Sequence, residues 1–341
     1  MSKNILVLGA NGYIGSKLVP SLLYSGHTVT ILARKKSKLN FKNINNNLKI
    51  YITHNYELKE SYFKDIDIVI DLVSFRKFSS NIVKKYSLDE DHMRRIIFAK
   101  KNKVKRYIFS SSCSIYYHHD SLSNLKSNNA ENFYTCKKLK IERDFLQFNE
   151  SEFKVLIMRI PTVFGYSPNI RFDLFLNFLI LSGLKYNKIS PPNINFTRPY
   201  IYIDDLINIF LEIISSYKST LNNGIINIGF SKNNISSNEL ILLVSEALSL
   251  EVSKITYHET DLRSYHVSFA TFENSTNIHI NHTFKENIIK TANDFLNVLI
   301  YHPNLPIKFD DYKNYCFSKE NYKHTKNIFN KINGNRNYIN S

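Results

Sequence analysis

Three glycines set three apart, directly after an apolar run, constrain this chain more than any other feature. Ile5-Leu6-Val7-Leu8 reads as a strand, and it runs into Gly9-Ala10-Asn11-Gly12-Tyr13-Ile14-Gly15. Ile14, Leu18, Val19, Leu22 and Leu23 then recur at helical spacing. Strand, tight turn and helix in that order give each glycine a task. Gly9 lets the chain turn sharply off the strand. Gly12 removes a side chain so that the backbone can approach a pyrophosphate, and Gly15 lets the helix lie close on the sheet. The amide groups of the helix start then face the phosphates. Gly9, Asn11, Gly12, Tyr13, Ile14 and Gly15 are therefore the candidate dinucleotide-binding loop.

The rest of the first half repeats the alternation. Strands are expected at 28–32, 48–52, 66–72, 106–109 and 154–158, with helical segments between most of them, notably 89–101 and 133–148. Alternating β and α segments predict a doubly wound parallel sheet of the Rossmann type. The second half is less regular. Helices are expected at 172–181, 204–217, 237–250 and 284–300, and strands at 224–228 and 251–257. Serine and asparagine before residue 237, with Glu239 early in the segment, predict a capped helix start. The pattern divides into a dinucleotide-binding domain over 1–165 and a smaller α/β substrate lobe over 166–307, interleaved with the first. A polar tail follows over 308–341, read as a loose helix or as disordered chain.

Composition narrows the class. With 341 residues and 43% apolar content the chain can bury a large core. Met-Ser-Lys-Asn leads straight into the first strand, so no signal peptide is expected, and no apolar run is long enough to span a bilayer. Cys113, Cys136 and Cys316 show neither metal spacing nor a paired framework, which points to a reduced, cytoplasmic enzyme without a metal site. The net charge of +16 would suit nucleic acid, a membrane surface or a phosphorylated substrate. Lysine outnumbers arginine, however, and it is spread among abundant Asn and Ile, with no long basic run carrying aromatics. The pattern reads as a solvated lysine-rich surface, with no specific nucleic-acid partner.

Two stretches in the middle carry candidate chemistry. Phe109-Ser110-Ser111-Ser112-Cys113-Ser114-Ile115-Tyr116-Tyr117 follows the fifth strand, where a parallel sheet binds its ligands. Tyr134-Thr135-Cys136-Lys137-Lys138 lies on the next helix, and its Tyr134 and Lys138 share one face. An ammonium beside a phenol favours the phenolate, which makes Tyr134 a candidate general acid/base.

Taken together these residues resemble the extended short-chain dehydrogenase/reductases, in their nucleotide-sugar epimerase/dehydratase branch, over about residues 4–300. Gly9, Gly12 and Gly15 match the family's GxxGxxG. Ser112 precedes a VYG-like turn at Ile115-Tyr116. Tyr134 and Lys138 match YxxxK, with Glu142 four residues on. Arg159-Ile160-Pro161-Thr162-Val163-Phe164-Gly165 is similar to the RPxxVYGP segment, and Arg198-Pro199-Tyr200-Ile201-Tyr202-Ile203-Asp204-Asp205-Leu206 to RDFVHVDDL. Asp261-Leu262-Arg263-Ser264-Tyr265 resembles DxRSY.

The resemblance implies that Tyr134 exchanges the proton of a sugar hydroxyl while hydride passes between that carbon and a nicotinamide. It implies that Lys138 bonds the nicotinamide ribose, that Ser112 holds the reacting oxygen, and that Arg198 and Arg263 grip the diphosphate. The structural alternative for Arg198 is an ion pair with Asp204 or Asp205.

Departures from the family pattern sharpen these expectations. Many NAD-using members end the second strand in an aspartate; here Ala33 stands there, followed by Arg34, Lys35 and Lys36, and a cation suits the 2′-phosphate of NADP. The cofactor is thus NAD or NADP, with Arg34 as a cofactor contact. Thr53-His54-Asn55 replaces an acidic turn, and Tyr117 replaces the VYG glycine. His118 and His119 are either helpers of catalysis or exposed loop residues. Dehydratases of the group place an acidic pair after the catalytic hydroxyl residue, whereas Cys113 and Ser114 stand here, so dehydration is not expected. The resemblance therefore implies a nucleotide-sugar 4-epimerase working through a 4-keto intermediate. The alternatives are an NADP-dependent 4-keto-sugar-nucleotide reductase or dehydrogenase, and a non-catalytic RNA-binding or scaffold protein on the same fold. A homodimer is left open.

Overall fold

The strand Ile68–Asp71 (β4) is buried at every position, and its neighbour Asn4–Leu8 (β1) at all but its first. Continuous apolar runs of this kind belong to strands covered on both faces, and so to the middle of a parallel sheet. The computed structural model describes residues 2–33, 46–53, 58–73, 87–118, 130–191, 195–215, 221–253, 264–276, 278, 280 and 282–301. Within them, β1 and β4 lie side by side, flanked by Thr28–Ala33 (β2) and Leu48–Ile52 (β3) on one side. Arg106–Ser112 (β5), Lys154–Ile160 (β6) and Gly224–Asn227 (β9) flank them on the other. The order is β3-β2-β1-β4-β5-β6-β9, and every pairing is parallel. The order reverses between β1 and β4, the switch point at which such sheets open a crevice beyond the strand ends.

The two faces of the sheet hold two separate cores, and the period of two along each strand sorts residues between them. Ile5 and Val7 join Val29, Ile31, Ile68, Ile70 and Ile108 on one face. There they meet Leu18, Val19, Leu22 and Leu23 of the helix Gly15–Tyr24 (α1), and Leu206, Ile209, Phe210 and Ile213 of Ile203–Ser215 (α5). Leu6, Leu8, Val69, Tyr107 and Phe109 face the other way. They are covered by Ile96 and Ala99 of Ser87–Lys101 (α2), and by Ile141 and Phe145 of Ala130–Leu146 (α3).

The second half builds a small three-stranded sheet in the order Asn234–Ser236 (β10), Thr197–Tyr202 (β8), Thr162–Phe164 (β7). Pairing is antiparallel for β10 with β8 and parallel for β8 with β7. The helices Phe175–Tyr186 (α4), Ser237–Leu248 (α6), Ala270–Ser275 (α7) and Phe284–Tyr301 (α8) complete this part. The expected capped start at 237 is present as a capping box. Ser236 Oγ accepts from the Glu239 amide and the Glu239 carboxylate accepts from the Ser236 amide, an arrangement worth about 1 kcal/mol.

Several boundaries differ from the sequence reading. Helix α4 begins at Phe175 and not at residue 172, because Leu174 is extended. The strand expected at 251–257 is reduced to one bridge, Val252 with Ile189, among the described residues. Ser249 closes α6 in a left-handed conformation, and residues 254–263 lie outside the description. The tail at 308–341 lies outside it as well. No helix among the described residues is long and apolar enough to cross a membrane, and no group of His, Cys, Asp or Glu among them could hold a metal ion.

Candidate active site

The glycine loop sits at the switch point, and its three glycines are enforced by backbone on every side. Gly9 has φ +81°, and a Cβ there would lie 2.9 Å from the Leu72 carbonyl carbon at the exit of β4. A Cβ on Gly12 would lie 3.0 Å from the Gly9 carbonyl oxygen, which already accepts the Gly12 amide at 2.8 Å. A Cβ on Gly15 would stand 2.5 Å from the Gly9 oxygen and 2.7 Å from that of Ala10. No side chain caps the start of α1 at Ile14. A tight, side-chain-free cradle ending in an uncapped helix terminus fits an anionic pyrophosphate.

Two loop residues serve a purpose that local spacing does not reveal. The Tyr13 hydroxyl donates to the Gly165 carbonyl at 2.6 Å and accepts from Asn177 Nδ2 at 3.2 Å, and burial pushes its pKa up. The Tyr13 hydroxyl thus ties the glycine loop to residue 165 and to α4. Ser167 Oγ donates to the Tyr13 carbonyl at 2.6 Å, Asn169 Nδ2 to the Asn11 carbonyl, and Lys17 Nζ to the Tyr166 carbonyl at 3.1 Å. The loop is thus stitched to residues 165–169, about 150 positions along the chain. The polar run Tyr166-Ser167-Pro168-Asn169 is its only trace in the sequence.

The chemistry-bearing residues gather at the end of β5. Ser112 closes that strand, and its hydroxyl is 2.9 Å from Ser114 Oγ and accepts the Ser114 amide at 3.2 Å. Lys138 is buried on α3. Its ammonium donates to the Ser110 carbonyl at 2.7 Å and lies 4.4 Å from the centre of the Phe109 ring and 6.0 Å from that of Tyr134. Burial pushes the Lys138 pKa down to about 8, with Asp71 and Glu142 pulling upward and Arg95 adding to the depression. Tyr134 and Lys138 both lie on α3, one helical turn apart, and the Lys138 ammonium reaches the backbone of β5 two residues before Ser112.

Behind them lies a polar relay. The Arg159 guanidinium grips both oxygens of the buried Glu142 carboxylate, at 2.7 Å through Nη2 and 3.2 Å through Nε. Glu142 also accepts from Ser111 Oγ. Arg159 Nη1 donates to the Tyr116 hydroxyl at 2.9 Å, and Tyr116 donates to Asn227 Oδ1 at 2.9 Å. Both Glu142 and Arg159 stand in recognisable segments, yet nothing in their spacing shows that they pair. Cys113 is buried, its thiol donating to the Arg159 carbonyl at 3.3 Å, and burial pushes its pKa far up. It packs with Val267 and Phe269.

A second buried cluster has no counterpart in the sequence reading. Asp71 ends β4 fully buried. One of its oxygens accepts from the Val73 amide at 3.0 Å, and the other accepts the Tyr107 hydroxyl at 2.7 Å and lies 2.9 Å from Arg95 Nε. The signal that could have found it is an acid closing an otherwise apolar strand.

Among the expected substrate arginines, Arg198 lies on β8, its guanidinium carbon 4.3 Å from the centre of the Phe196 ring. Asp204 pairs with Lys17, linking α5 to α1. Arg263 and Arg34 lie outside the described residues, as do His54, His119 and the side chain of His118. The residues just after Arg263 are placed. Ser264 Oγ accepts the Thr197 amide at 2.9 Å, and the Tyr265 amide donates to the Thr197 carbonyl at 2.9 Å. The segment that follows Arg263 is therefore zipped to the residue preceding Arg198.

Comparison with known proteins agrees with this geometry. A profile of the family described as the NAD dependent epimerase/dehydratase family matches residues 5–229. Among curated proteins, the bifunctional polymyxin resistance protein ArnA of Wigglesworthia glossinidia brevipalpis is 25% identical over 273 residues, 71% of this chain and 41% of that protein. An isoflavone reductase homolog A622-like protein of Nicotiana tabacum is 31% identical over 134 residues, 30% of this chain and 43% of that protein. The chain thus spans about two fifths of the length of these relatives. Among solved structures, MoeE5 in complex with UDP-glucuronic acid and NAD superposes with a TM-score of 0.67 at 21% identity, over 86% of this chain and 99% of that one. The UDP-glucuronic acid 4-epimerase of Bacillus cereus, in complex with UDP-glucuronic acid and NAD, gives 0.67 at 17% identity over the same shares. These structural likenesses speak to the fold. The profile carries the family, because it runs from β1 to just past β9 and so covers most of the chain. The chain belongs to the NAD dependent epimerase/dehydratase family.

Proposed function

We propose that the protein is a nucleotide-sugar 4-epimerase that works through a 4-keto sugar. The observation that carries this reading is the anchoring of Lys138. Its ammonium is hydrogen-bonded to the Ser110 carbonyl, two residues before Ser112, and lies one helical turn from Tyr134. In this reading Ser112, Tyr134 and Lys138 are the groups that meet the hydroxyl, the proton and the ribose.

In this reading the Tyr134 oxygen takes the proton of the C4 hydroxyl while the Ser112 hydroxyl holds the same oxygen. Lys138 bonds the nicotinamide ribose and keeps a positive charge beside the phenol. A nicotinamide dinucleotide held by the glycine cradle and Lys138 would supply the hydride acceptor and donor that chemistry at C4 needs. Tyr134 then gives its proton back to the new hydroxyl. The glycine cradle holds the pyrophosphate of the dinucleotide. Arg198 and Arg263 take the diphosphate of the substrate, a use for which the planar guanidinium fork is suited. Residues 1–165 act as the dinucleotide domain and 166–307 as the substrate lobe, with β9 returning to the first sheet.

Two observations favour hydride chemistry at one carbon over dehydration. The Cys113 thiol is buried and its pKa is raised, and Ser114 bonds Ser112, so neither position supplies the acid and base that a dehydratase needs. UDP-sugars are the first substrates to try, because MoeE5 and the Bacillus cereus 4-epimerase hold UDP-glucuronic acid. The second reading is an NADP-dependent 4-keto reductase. It rests on Ala33 ending β2 where a ribose-binding carboxylate would stand, with Arg34 next in the chain.

Releasing the dinucleotide from purified protein and identifying it by mass spectrometry separates the two. Bound oxidised NAD is expected. A site that binds nothing until NADPH is added would overturn the epimerase reading in favour of the reductase.

A further inference from the structure

The Asp71 cluster lies on the same face of the sheet as Lys138. Cα partners across the sheet place Leu8, Asp71 and Phe109 in one row, so their side chains leave the sheet on one side. That is the side covered by α2 and α3, and the Lys138 ammonium rests on the Phe109 ring. The Asp71 carboxylate is fully buried one strand over, held by Tyr107 from β5, Arg95 from α2 and its own turn through the Val73 amide. A buried ion pair is costly to assemble and gives little net stability. Its electrostatic reach is long in a dry interior, because interactions there are weakly screened. Nothing in the proton and hydride steps proposed above uses these three residues.

We propose that the Asp71–Arg95 ion pair, locked by the Tyr107 hydroxyl, is a positioning device that sets the charge of Lys138 at the end of β5. The inference rests on the reading of Lys138 as part of the active site. Among the described residues, the other charged or titratable groups that face Lys138 are Glu142 and Tyr134 on its own helix, with Glu142 held by Arg159 of β6. Asp71 favours the ammonium and Arg95 opposes it, while burial opposes it most. The two members of the ion pair therefore pull in opposite directions, and that separates the proposal from a merely structural role. Loss of either partner through simple destabilisation would move both variants the same way.

The test is a titration of Lys138 in the full-length protein. It uses lysine labelled with carbon-13 at Cε, the Lys138 signal being assigned by its loss in Lys138→Arg, alongside the pH profile of kcat. In Asp71→Asn the Lys138 midpoint should fall, and the alkaline limb of the rate profile should move to lower pH by about half a unit or more. In Arg95→Gln both should move up. Tyr107→Phe keeps the ring and removes only the hydroxyl that donates to Asp71, so it is the mildest variant. It frees carboxylate charge and should move Lys138 upward, in the direction of Arg95→Gln. Shifts of the same sign in Asp71→Asn and Arg95→Gln would overturn the proposal. So would an unmoved Lys138 in Tyr107→Phe, even if both charge variants failed to fold. Opposite shifts in the lysine signal with an unmoved rate profile would leave the charge link standing and refute the active role of Lys138.

Discussion

Replacing Gly15 by alanine isolates the contact on which the dinucleotide cradle depends. The added methyl would stand 2.5 Å from the Gly9 oxygen and 2.7 Å from the Ala10 oxygen, and both obstacles are backbone. Ordinary contact begins at 3.4 Å, so the loop would have to retreat by about 0.9 Å. Forcing a methyl group into a site this tight costs about 1–3 kcal/mol. The Gly12 amide bonds that same Gly9 oxygen, so the retreat dismantles the turn that shapes the pyrophosphate site. A displacement near 1 Å should weaken NAD binding on the order of ten- to a hundredfold. Gly26 supplies the control. It has the same φ of +81° as Gly9 but nothing within 4 Å of an added Cβ. Gly26→Ala should therefore lose only about 1 kcal/mol to backbone conformation and leave NAD binding unchanged. Gly9→Ala combines both penalties and should be the worst of the three. Chemical denaturation gives the stability series and calorimetric titration with NAD gives the affinities. Gly15→Ala binding NAD as tightly as the unaltered protein would refute the cradle as drawn.

Other expectations follow from the same structure. Arg198→Ala and Arg263→Ala should each weaken nucleoside diphosphate binding by about 1.5–3 kcal/mol for every charge-assisted hydrogen bond removed, measured by calorimetry with UDP, GDP, dTDP and CDP. Unchanged affinity for the best binder would reject the diphosphate role. On the reductase reading Arg34→Asp should shift preference from NADP toward NAD, and equal affinity for both cofactors in the unaltered protein would mean that Arg34 makes no contact with the 2′-phosphate. Burial, with Asp204 beside it, pushes the Asp205 carboxyl up to about 6. Between about pH 4 and 6 the folded protein therefore holds a proton that the unfolded chain has released, and stability falls as pH rises through that window. Asp205→Asn should accordingly be more stable than the unaltered protein at neutral pH, with the gain absent below about pH 4. A denaturation midpoint unchanged at neutral pH would contradict this.

What the sequence made legible was local or periodic. The glycine spacing, the apolar strands and the pairing of Tyr134 with Lys138 on one helix face need only a few neighbouring residues, and the structure places them as expected. What stayed hidden depends on residues that meet only in three dimensions. Tyr13 reads as part of a cofactor loop, but its partner is Gly165, 152 positions along the chain. Asp71, Arg95 and Tyr107 come from three elements, and no spacing relates them. Glu142 and Arg159 stand in visible segments, and only packing joins them. Of the strand expected over 251–257, residues 251–253 are described, and their backbone pairs with Ile189, a partner more than sixty positions back that no local spacing announces.

The central claim is that Tyr134 moves the proton of a nucleotide sugar's C4 hydroxyl at a site shared with Ser112 and Lys138. Proton NMR of UDP-glucose or UDP-glucuronic acid incubated with the protein and NAD follows the configuration at C4 directly, with Tyr134→Phe as the paired sample. The account predicts interconversion at C4 by the unaltered protein. It predicts a rate lower by about 10²- to 10⁴-fold in Tyr134→Phe, with NAD affinity and unfolding midpoint retained, because the ring still packs and only the phenol oxygen is removed. Tyr134→Phe turning over at the unaltered rate would contradict it.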